Sequence, residues 1–128
     1  LDWMLADQPS HVIVELGGND GLRALPPEAM SQNLDAIIGR LQDEGVAVLL
    51  TGMLAPPNLG REYGAAFQAV FPALAEKHDV PLYPFFLEGV AGDALLNQRD
   101  GIHPTAEGVA IIVENILPTV TAWLDATS

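Results

Sequence analysis

The chain alternates short, largely apolar runs with longer segments in which apolar residues recur every three or four positions. The short runs cover residues 12–16, 46–50 and 80–83. Runs of four or five β-branched and aliphatic residues bounded by Gly or Pro are typical of strands buried on both faces, as in parallel sheets. We therefore predict three strands, with Pro81 confined to the start or the edge of the third.

Apolar residues at helical spacing predict helices between and after these strands. Residues 1–6 form the end of one helix. A second helix follows residues 26–27 and ends at Gly45, a third covers 61–78, and the last begins at Pro104. Pro72 is expected to kink its helix or break one hydrogen bond, and Pro118 to kink or end the last helix. Residues 85–96 are expected to hold a short helical piece. This order predicts an α/β fold, a parallel sheet with helices on both faces, over a single domain spanning 1–128.

Composition and charge narrow the classes of partner. Five basic against seventeen acidic residues give a net charge of −12, so nucleic acid and anionic membrane surfaces are poor partners. No segment is expected to span a bilayer or to give stable membrane anchoring. The absence of cysteine removes disulfides, thiolate metal sites and thiol catalysis.

The first candidate for chemistry directly follows the first strand, where Gly17 and Gly18 precede Asn19 and Asp20. Ligands of open α/β sheets bind beyond the carboxyl ends of the strands, and glycine allows a positive φ or a close backbone approach there. Asn19 is therefore a candidate ligand-binding residue. The alternative is that these four residues only close a turn, since their composition is also ordinary turn chemistry.

The second candidate is Asp100-Gly-Ile-His103-Pro104, just before the last helix. A carboxylate three residues before a histidine can accept a hydrogen bond from one ring nitrogen, which leaves the other nitrogen free to act as a base. The alternative is that Asp100 caps a turn and His103 fills a helix entrance. His11 and His78 lack such a partner in sequence and are predicted to be structural.

A base, its orienting acid and an amide donor are what acyl transfer requires at an ester carbonyl. A nucleophile is missing from this set, because Ser10, Ser31 and Ser128 do not lie on a strand-to-helix turn, and Thr51 and Thr105 lack an activating context. A metal is poorly supported, since Asp20, Asp100 and His103 do not have a standard ligand spacing.

The two motifs together resemble the SGNH, or GDSL-type, hydrolases. The resemblance rests on Val-Glu-Leu-Gly-Gly-Asn-Asp-Gly-Leu-Arg at 14–23 and Asp-Gly-Ile-His-Pro at 100–104. Two further segments are similar to the bacterial thioesterase I, arylesterase and lysophospholipase branch: Pro-Pro-Asn-Leu-Gly at 56–60 and Val-Pro-Leu-Tyr-Pro-Phe-Phe at 80–86. It implies a flavodoxin-like three-layer α/β/α sandwich, of which this chain supplies about three of five strands. The implied activity is serine ester or thioester hydrolysis through an acyl-enzyme, without a metal or other cofactor.

The resemblance also implies a role for individual residues. Asn19 matches the asparagine that donates to the oxyanion, His103 the general base, and Asp100 the residue that orients it. Contacts with the ester substrate are expected at Gly18, Leu22 and Pro56.

The sequence departs from the family pattern in one respect: the Gly-Asp-Ser block with the nucleophilic serine is absent. We therefore expect residues 1–128 to be the larger, C-terminal part of an SGNH domain, held non-covalently against a separate N-terminal segment that carries this block. The resemblance implies a periplasmic or secreted enzyme. The alternatives are a non-catalytic α/β binding module that has lost the serine, and a carbohydrate acetyl-esterase.

Overall fold

The computed structural model describes all 128 residues, which form two compact units, Leu1–Pro84 and Phe85–Ser128. The first unit contains the sheet, four α-helices and a short 3-10 helix (Pro57–Leu59), and the second contains a series of turns followed by the last helix.

The sheet of the first unit is parallel and has three strands in the order β1-β2-β3. Strands β1 (His11–Val14), β2 (Ala47–Thr51) and β3 (Leu82–Tyr83) correspond to the three predicted runs. β1 pairs with β2 from His11↔Ala47 to Val14↔Leu50. Only two residue pairs join β2 to β3, because Pro81 precedes the third strand and has no N–H to donate to it. The predicted parallel sheet is confirmed.

Helices α3 (Pro27–Asp43) and α4 (Arg61–His78) pack against β2 and against each other. They follow a short N-terminal helix, α1 (Asp2–Leu5), as predicted. Pro26 and Pro27 fit the entrance of α3, where a missing N–H costs nothing, and Gly45 takes the positive φ of 76° that ends it. Pro72 lies inside α4, which continues through it. The core of this unit consists of buried apolar side chains from one face of the sheet and the facing sides of both helices: Val14, Met30, Leu34, Ile38, Leu41, Val46, Val48, Leu50, Phe67, Val70, Phe71 and Leu74.

A polar cluster joins the two helices at the surface. His78 Nε2 lies 2.6 Å from Asp35 Oδ1 and its Nδ1 lies 3.1 Å from Gln42 Oε1, while Lys77 Nζ donates to Asp35 Oδ2 over 2.9 Å. Hydrogen bonds from Lys77 and then from His78 lower the pKa of Asp35. His78 thus has partners that its sequence neighbours do not reveal, and both of its ring nitrogens are engaged in joining helices.

The second unit ends in helix α5 (Ala106–Thr127). Its N-cap is Thr105, whose hydroxyl accepts a hydrogen bond from the Gly108 N–H over 3.1 Å, so the helix begins two residues later than predicted. Pro118 was predicted to kink or end the helix, but α5 continues through it. The predicted helical piece within 85–96 is also wrong, since this segment consists of turns. Glycines at 89 and 92, with φ near 80°, favour successive turns over a helix there.

Helix α5 also corrects an expectation about membrane-spanning segments. Its 22 residues have a mean hydropathy of 1.4 over an 18-residue window, enough by length and composition to cross a bilayer, and 11% of that window is buried. One such helix is weak evidence for membrane insertion, because core helices of soluble proteins meet the same two criteria.

Candidate functional site

The segment that carries Asn19 begins with a backbone conformation that favours glycine. Gly17 has a φ of 105°, and the chain then turns directly into α2 (Gly18–Leu22), a helix of five residues. Asn19 and Asp20 were predicted to follow the carboxyl end of the first strand; they do so within this short helix, which the sequence analysis did not predict. The left-handed conformation of Gly17 changes the direction of the chain between Leu16 and the helix. A residue with a Cβ would adopt this conformation only with strain.

The segment at 17–22 packs on aromatic and thioether side chains of the core. A Cβ on Gly17 would lie 2.9 Å from the sulfur of Met30 and 3.3 Å from Phe71. A Cβ on Gly21 would lie 3.1 Å from the ring of Phe67. Because distances of this size leave no room for a methyl group, the two glycines let α2 lie directly on the core.

Thr51 fixes the strand end from which this segment leaves. Its side chain is fully buried, and its hydroxyl donates to the Val14 carbonyl over 3.2 Å. This bond ties the end of β1 to the end of β2. Thr51 was considered as a possible nucleophile from its position, but its burial and its hydrogen bond give it a structural role.

The Asn19 side chain is exposed, and no hydrogen bond within the chain occupies its amide. An amide that is to donate to a developing oxyanion has to be free in this way. Of the predicted substrate contacts in this unit, Leu22 is 46% exposed, Gly18 and Pro56 are partly exposed, and a Cβ on Gly18 would lie 3.3 Å from the Met53 methyl group.

In the second unit the structure brings Asp100 and His103 into direct contact. Oδ2 of Asp100 lies 2.6 Å from Nδ1 of the His103 ring. Oδ1 of the same carboxylate accepts hydrogen bonds from the N–H groups of Ile102, over 2.9 Å, and of His103, over 3.0 Å. Gly101 lies between them with a φ of 70°, which lets the loop fold back on the carboxylate.

These bonds determine the electrostatics of the pair. The pKa of Asp100 is lowered from its ordinary 3.8 to about 2, chiefly by the hydrogen bond with the His103 ring and then by the backbone N–H groups of His103 and Ile102. An ionised carboxylate can only accept hydrogen bonds, so Nδ1 of the ring carries a proton. In the neutral ring Nε2 then has a free lone pair, and the ring is 70% exposed. This is the state in which a histidine acts as a general base.

The base of this loop is held by hydrogen bonds that the sequence analysis missed. The Gln98 N–H donates to the His103 carbonyl over 2.7 Å, and the Thr105 N–H donates to the Leu96 carbonyl over 2.8 Å. Asn97, which is buried, donates from its amide to two carbonyls of the preceding turns, each at 2.8 Å. A Cβ on Gly108 would overlap the Leu96 carbonyl oxygen. The hydroxyl of Thr105 caps α5. A threonine directly before an apolar helical pattern is the sequence signal by which this helix start could have been found.

The only serine of the second unit, Ser128, does not lie beside the His103 ring. Ser128 follows α5, so about 30 Å of helix separates it from the loop that precedes α5. Its hydroxyl donates to the Leu124 carbonyl over 2.6 Å. In the first unit the Ser10 hydroxyl lies 2.9 Å from His11 Nδ1, at the end of β1 opposite to Asn19, and Ser31 lies in the first turns of α3.

The protein family follows from comparison of the whole chain with known families. Residues 1–111 match the model of the GDSL-like lipase/acylhydrolase family. The chain belongs to this family. The resemblance inferred from the two motifs is therefore confirmed.

Curated relatives of this family member are esterases. Esterase TesA of Pseudomonas aeruginosa is 44% identical over 118 residues, which cover 92% of this chain and 59% of TesA. Thioesterase 1/protease 1/lysophospholipase L1 of Escherichia coli K12 is 43% identical over 107 residues, covering 84% of this chain and 51% of that enzyme. The chain thus spans little more than half the length of the curated relatives that it matches.

Solved structures of family members share the fold. A crystal structure of TesA superposes with a TM-score of 0.89 at 42% identity, covering 95% of this chain and 68% of TesA. Esterase EstA from Pseudoalteromonas sp., inhibited by monoethylphosphonate, gives a TM-score of 0.91 at 33% identity and covers 98% of this chain and 69% of EstA. The predicted flavodoxin-like α/β fold is confirmed.

Proposed function

We propose that the chain forms the larger part of a serine hydrolase that cleaves carboxylic esters or thioesters through an acyl-enzyme. The observation that carries the proposal is the 2.6 Å contact between Asp100 and the Nδ1 of His103, which leaves Nε2 free. Family membership supplies the reaction class. The names of the relatives, esterase and thioesterase 1/lysophospholipase L1, support activated and lipid-derived esters as substrates.

The proposal assigns one step to each residue. Nε2 of His103 takes the proton of a serine hydroxyl as the oxygen attacks the ester carbonyl, and later gives it to the leaving group. Asp100 keeps the ring oriented and stabilises the imidazolium that forms. The free amide of Asn19 donates to the oxyanion of the tetrahedral intermediate. Water then hydrolyses the acyl-enzyme by the same sequence of proton transfers.

The proposal takes the nucleophilic serine from a separate segment that carries a Gly-Asp-Ser block. Two observations on the chain support this part. The hydroxyls of Ser10 and Ser128 are engaged in local hydrogen bonds, and Ser31 lies in a helix. Thr51 and Thr105 use their hydroxyls to join the ends of two strands and to cap α5.

The edge of the sheet supports the same part of the proposal. β1 has a neighbour only on its β2 side. Along it runs an apolar groove of about 410 Å³ that includes Ile13, Leu16 and Ile37, with Ile13 42% and Leu16 50% exposed. Burial also raises the pKa of Glu15 in this groove. An unpaired, apolar strand edge is a surface that soluble proteins normally cover, and a strand of the serine-bearing segment would cover it.

Fluorophosphonate labelling of the protein as it is isolated from cells tests the nucleophile directly. We expect one labelled serine, and peptide mapping should place it in a Gly-Asp-Ser peptide outside residues 1–128. A label on a serine of this chain would contradict the separate segment. No label at all, with an intact fold, would favour the non-catalytic binding module.

The role of Asn19 is tested by its replacement with Ala in the same preparation. Since removal of one oxyanion donor typically costs about 10²–10³ in rate, we expect the kcat for p-nitrophenyl butyrate to fall by this amount. Asn33, an exposed asparagine on α3, provides the matched control, and Asn33→Ala should leave kcat unchanged. Equal rates for the two variants would remove Asn19 from the mechanism.

We also propose a substrate class, esters with an apolar acyl or aryl group, and a compartment for the enzyme. Exposed apolar side chains at Leu22 and Leu54, 46% and 44% exposed, favour an acyl or aryl group over an acetylated sugar. We expect p-nitrophenyl butyrate to be cleaved faster than acetylated xylan. The proposal places the enzyme in the periplasm or outside the cell, which fractionation of the source cells tests.

A further inference from the structure

Tyr63 connects helix α4 to the segment that carries Asn19. Its hydroxyl donates to the carbonyl of Leu25 over 2.6 Å, and the carbonyl of Asp20 lies 3.4 Å from the same oxygen. The phenol has one proton to donate, so the short bond to Leu25 is the principal one. Tyr63 therefore holds the two ends of the loop at 20–25, which begins one residue after Asn19.

The ring of Tyr63 is itself fixed by its neighbour on α4. It stacks on Phe67, one turn further along, with ring centroids 6.1 Å apart and planes inclined by 27°. Phe67 is fully buried and lies against Gly21, in the middle of α2. One face of α4 thus makes two contacts with this segment. The Phe67 ring packs against Gly21 of α2, and the Tyr63 hydroxyl bonds to the loop that follows α2.

The loop needs such support because of its own backbone. Ala24 has a φ of 53°, a left-handed conformation that is unfavourable for a residue with a Cβ. The Leu25 N–H donates to the Asp20 carbonyl over 2.9 Å and closes the loop, and the Arg23 N–H donates to the Asn19 carbonyl over 3.0 Å. A loop with an unfavourable residue keeps one conformation only while the surrounding contacts determine it.

We propose that Tyr63 is a positioning residue for the reaction: by bonding Leu25 it keeps α2, and with it the Asn19 amide, in the orientation that receives the oxyanion. This inference rests on the proposed function and adds a residue to it. The hydroxyl of Tyr63 bonds to the backbone of the loop, so in this proposal its effect on the rate passes through Asn19.

The test is a double-mutant cycle with Tyr63→Phe and Asn19→Ala in the intact protein, with kcat and KM measured on p-nitrophenyl butyrate. Tyr63→Phe keeps the ring and its stacking and removes only the hydroxyl. We expect kcat to fall on the order of tenfold, because misplacement of a catalytic group by less than 1 Å is costly, while KM changes little. In the Asn19→Ala background the same substitution should have no further effect.

A variant that weakens the fold elsewhere separates positioning from stability. Asp35→Asn removes the negative charge and one acceptor oxygen from the surface cluster between α3 and α4, whose hydrogen bonds do not involve α2. It should lower Tm and leave kcat unchanged at the assay temperature. Hydrogen exchange gives a second readout: Tyr63→Phe should accelerate exchange at the Arg23 and Leu25 amides, but not at the amides of β2.

The outcomes are distinguishable. An unchanged kcat in Tyr63→Phe, or the same loss with and without the Asn19 amide, overturns the positioning role even if the proposed hydrolase function holds. Unchanged exchange at Arg23 and Leu25 overturns it as well. If the parent protein cleaves no ester and Asn19→Ala changes nothing, the hydrolase function fails and the role of Tyr63 fails with it.

Discussion

The segment around Asn19 and the loop from Asp100 to His103 present their functional groups in different ways. In the first, the amide makes no bond of its own, and its position follows from a glycine at φ 105° and from core side chains beneath a short helix. In the second, the functional groups bond to each other, with three hydrogen bonds on one carboxylate from residues two and three positions ahead.

The difference shows what each region depends on. The position of Asn19 depends on packing, so substitutions at core residues that are remote in sequence should move it. The Asp100–His103 pair depends on local hydrogen bonds and on the ionisation of one carboxylate, so it should respond to charge and pH and little to core packing. A tightly packed interior transmits displacement, whereas an exposed hydrogen-bonded loop does so much less.

The largest expected effect comes from breaking the hydrogen-bonded pair. His103→Gln removes the base. Asp100→Asn replaces the carboxylate with a neutral amide, whose NH₂ group can donate to Nδ1 and favour the wrong tautomer of the ring. Each substitution should therefore lower kcat for p-nitrophenyl butyrate by roughly 10⁴-fold. Both side chains are well exposed, so Tm should change little. The neighbouring Arg99→Gln provides the control and should keep full activity. A loss of less than tenfold in His103→Gln would mean that this ring is not the base.

A smaller effect, on stability, compares the same substitution in the two regions. Gly17→Ala places a methyl group against Met30 and Phe71 at a positive φ, so we expect it to lower the free energy of unfolding by roughly 2–4 kcal/mol. Gly101→Ala meets no atom within 4 Å and has only the cost of its φ of 70°, about 1 kcal/mol. Urea unfolding measures both values. Equal losses would show that the segment at 17–22 does not depend on packing as described.

The smallest effect is the acid titration of Asp100, which applies to the second region alone. Its folded pKa of about 2 lies below the ordinary 3.8. The carboxylate therefore stabilises the fold at pH values above its unfolded pKa, and this contribution is lost as the pH falls from 3.8 through about 2. Carbon-13 NMR of the Asp100 carboxyl should give a midpoint near 2.

Replacement of His103 by Gln should raise that midpoint, because the largest of the three contributions comes from the ring. The two backbone N–H groups should keep it below the ordinary value. A midpoint at or above 3.8 in the parent protein would contradict the hydrogen-bonded geometry of the loop.

The sequence was sufficient for the features that depend on local pattern. Apolar runs bounded by Gly or Pro predicted the parallel strands, and the three-residue spacing of Asp100 and His103 predicted their contact. Both are short-range properties, in which the residues that decide the outcome are neighbours in the chain. The roles expected for Asn19, Gly18, Leu22 and Pro56 stay predictions until they are tested.

The errors arose where tertiary contacts outweigh local preference. Pro118 was expected to kink or end its helix, but α5 continues through it, with Ile116 and Trp123 buried on either side. Burial of these neighbours outweighs one missing hydrogen bond. The role of Tyr63 was also not visible, because a tyrosine at a core-facing helical position gives no indication of which carbonyl its hydroxyl will meet.

The self-contained loop at 100–103 has a consequence for protein engineering. All three donors to the Asp100 carboxylate come from Ile102 and His103, so four consecutive residues encode most of an oriented imidazole. A designer could transplant these four residues to the entrance of another helix, provided that the graft also reproduces the backbone hydrogen bonds at the base of the loop, from Gln98 to His103 and from Thr105 to Leu96. The Asn19 amide has no comparable independence, since a graft would have to bring along the methionine and the aromatic rings underneath it.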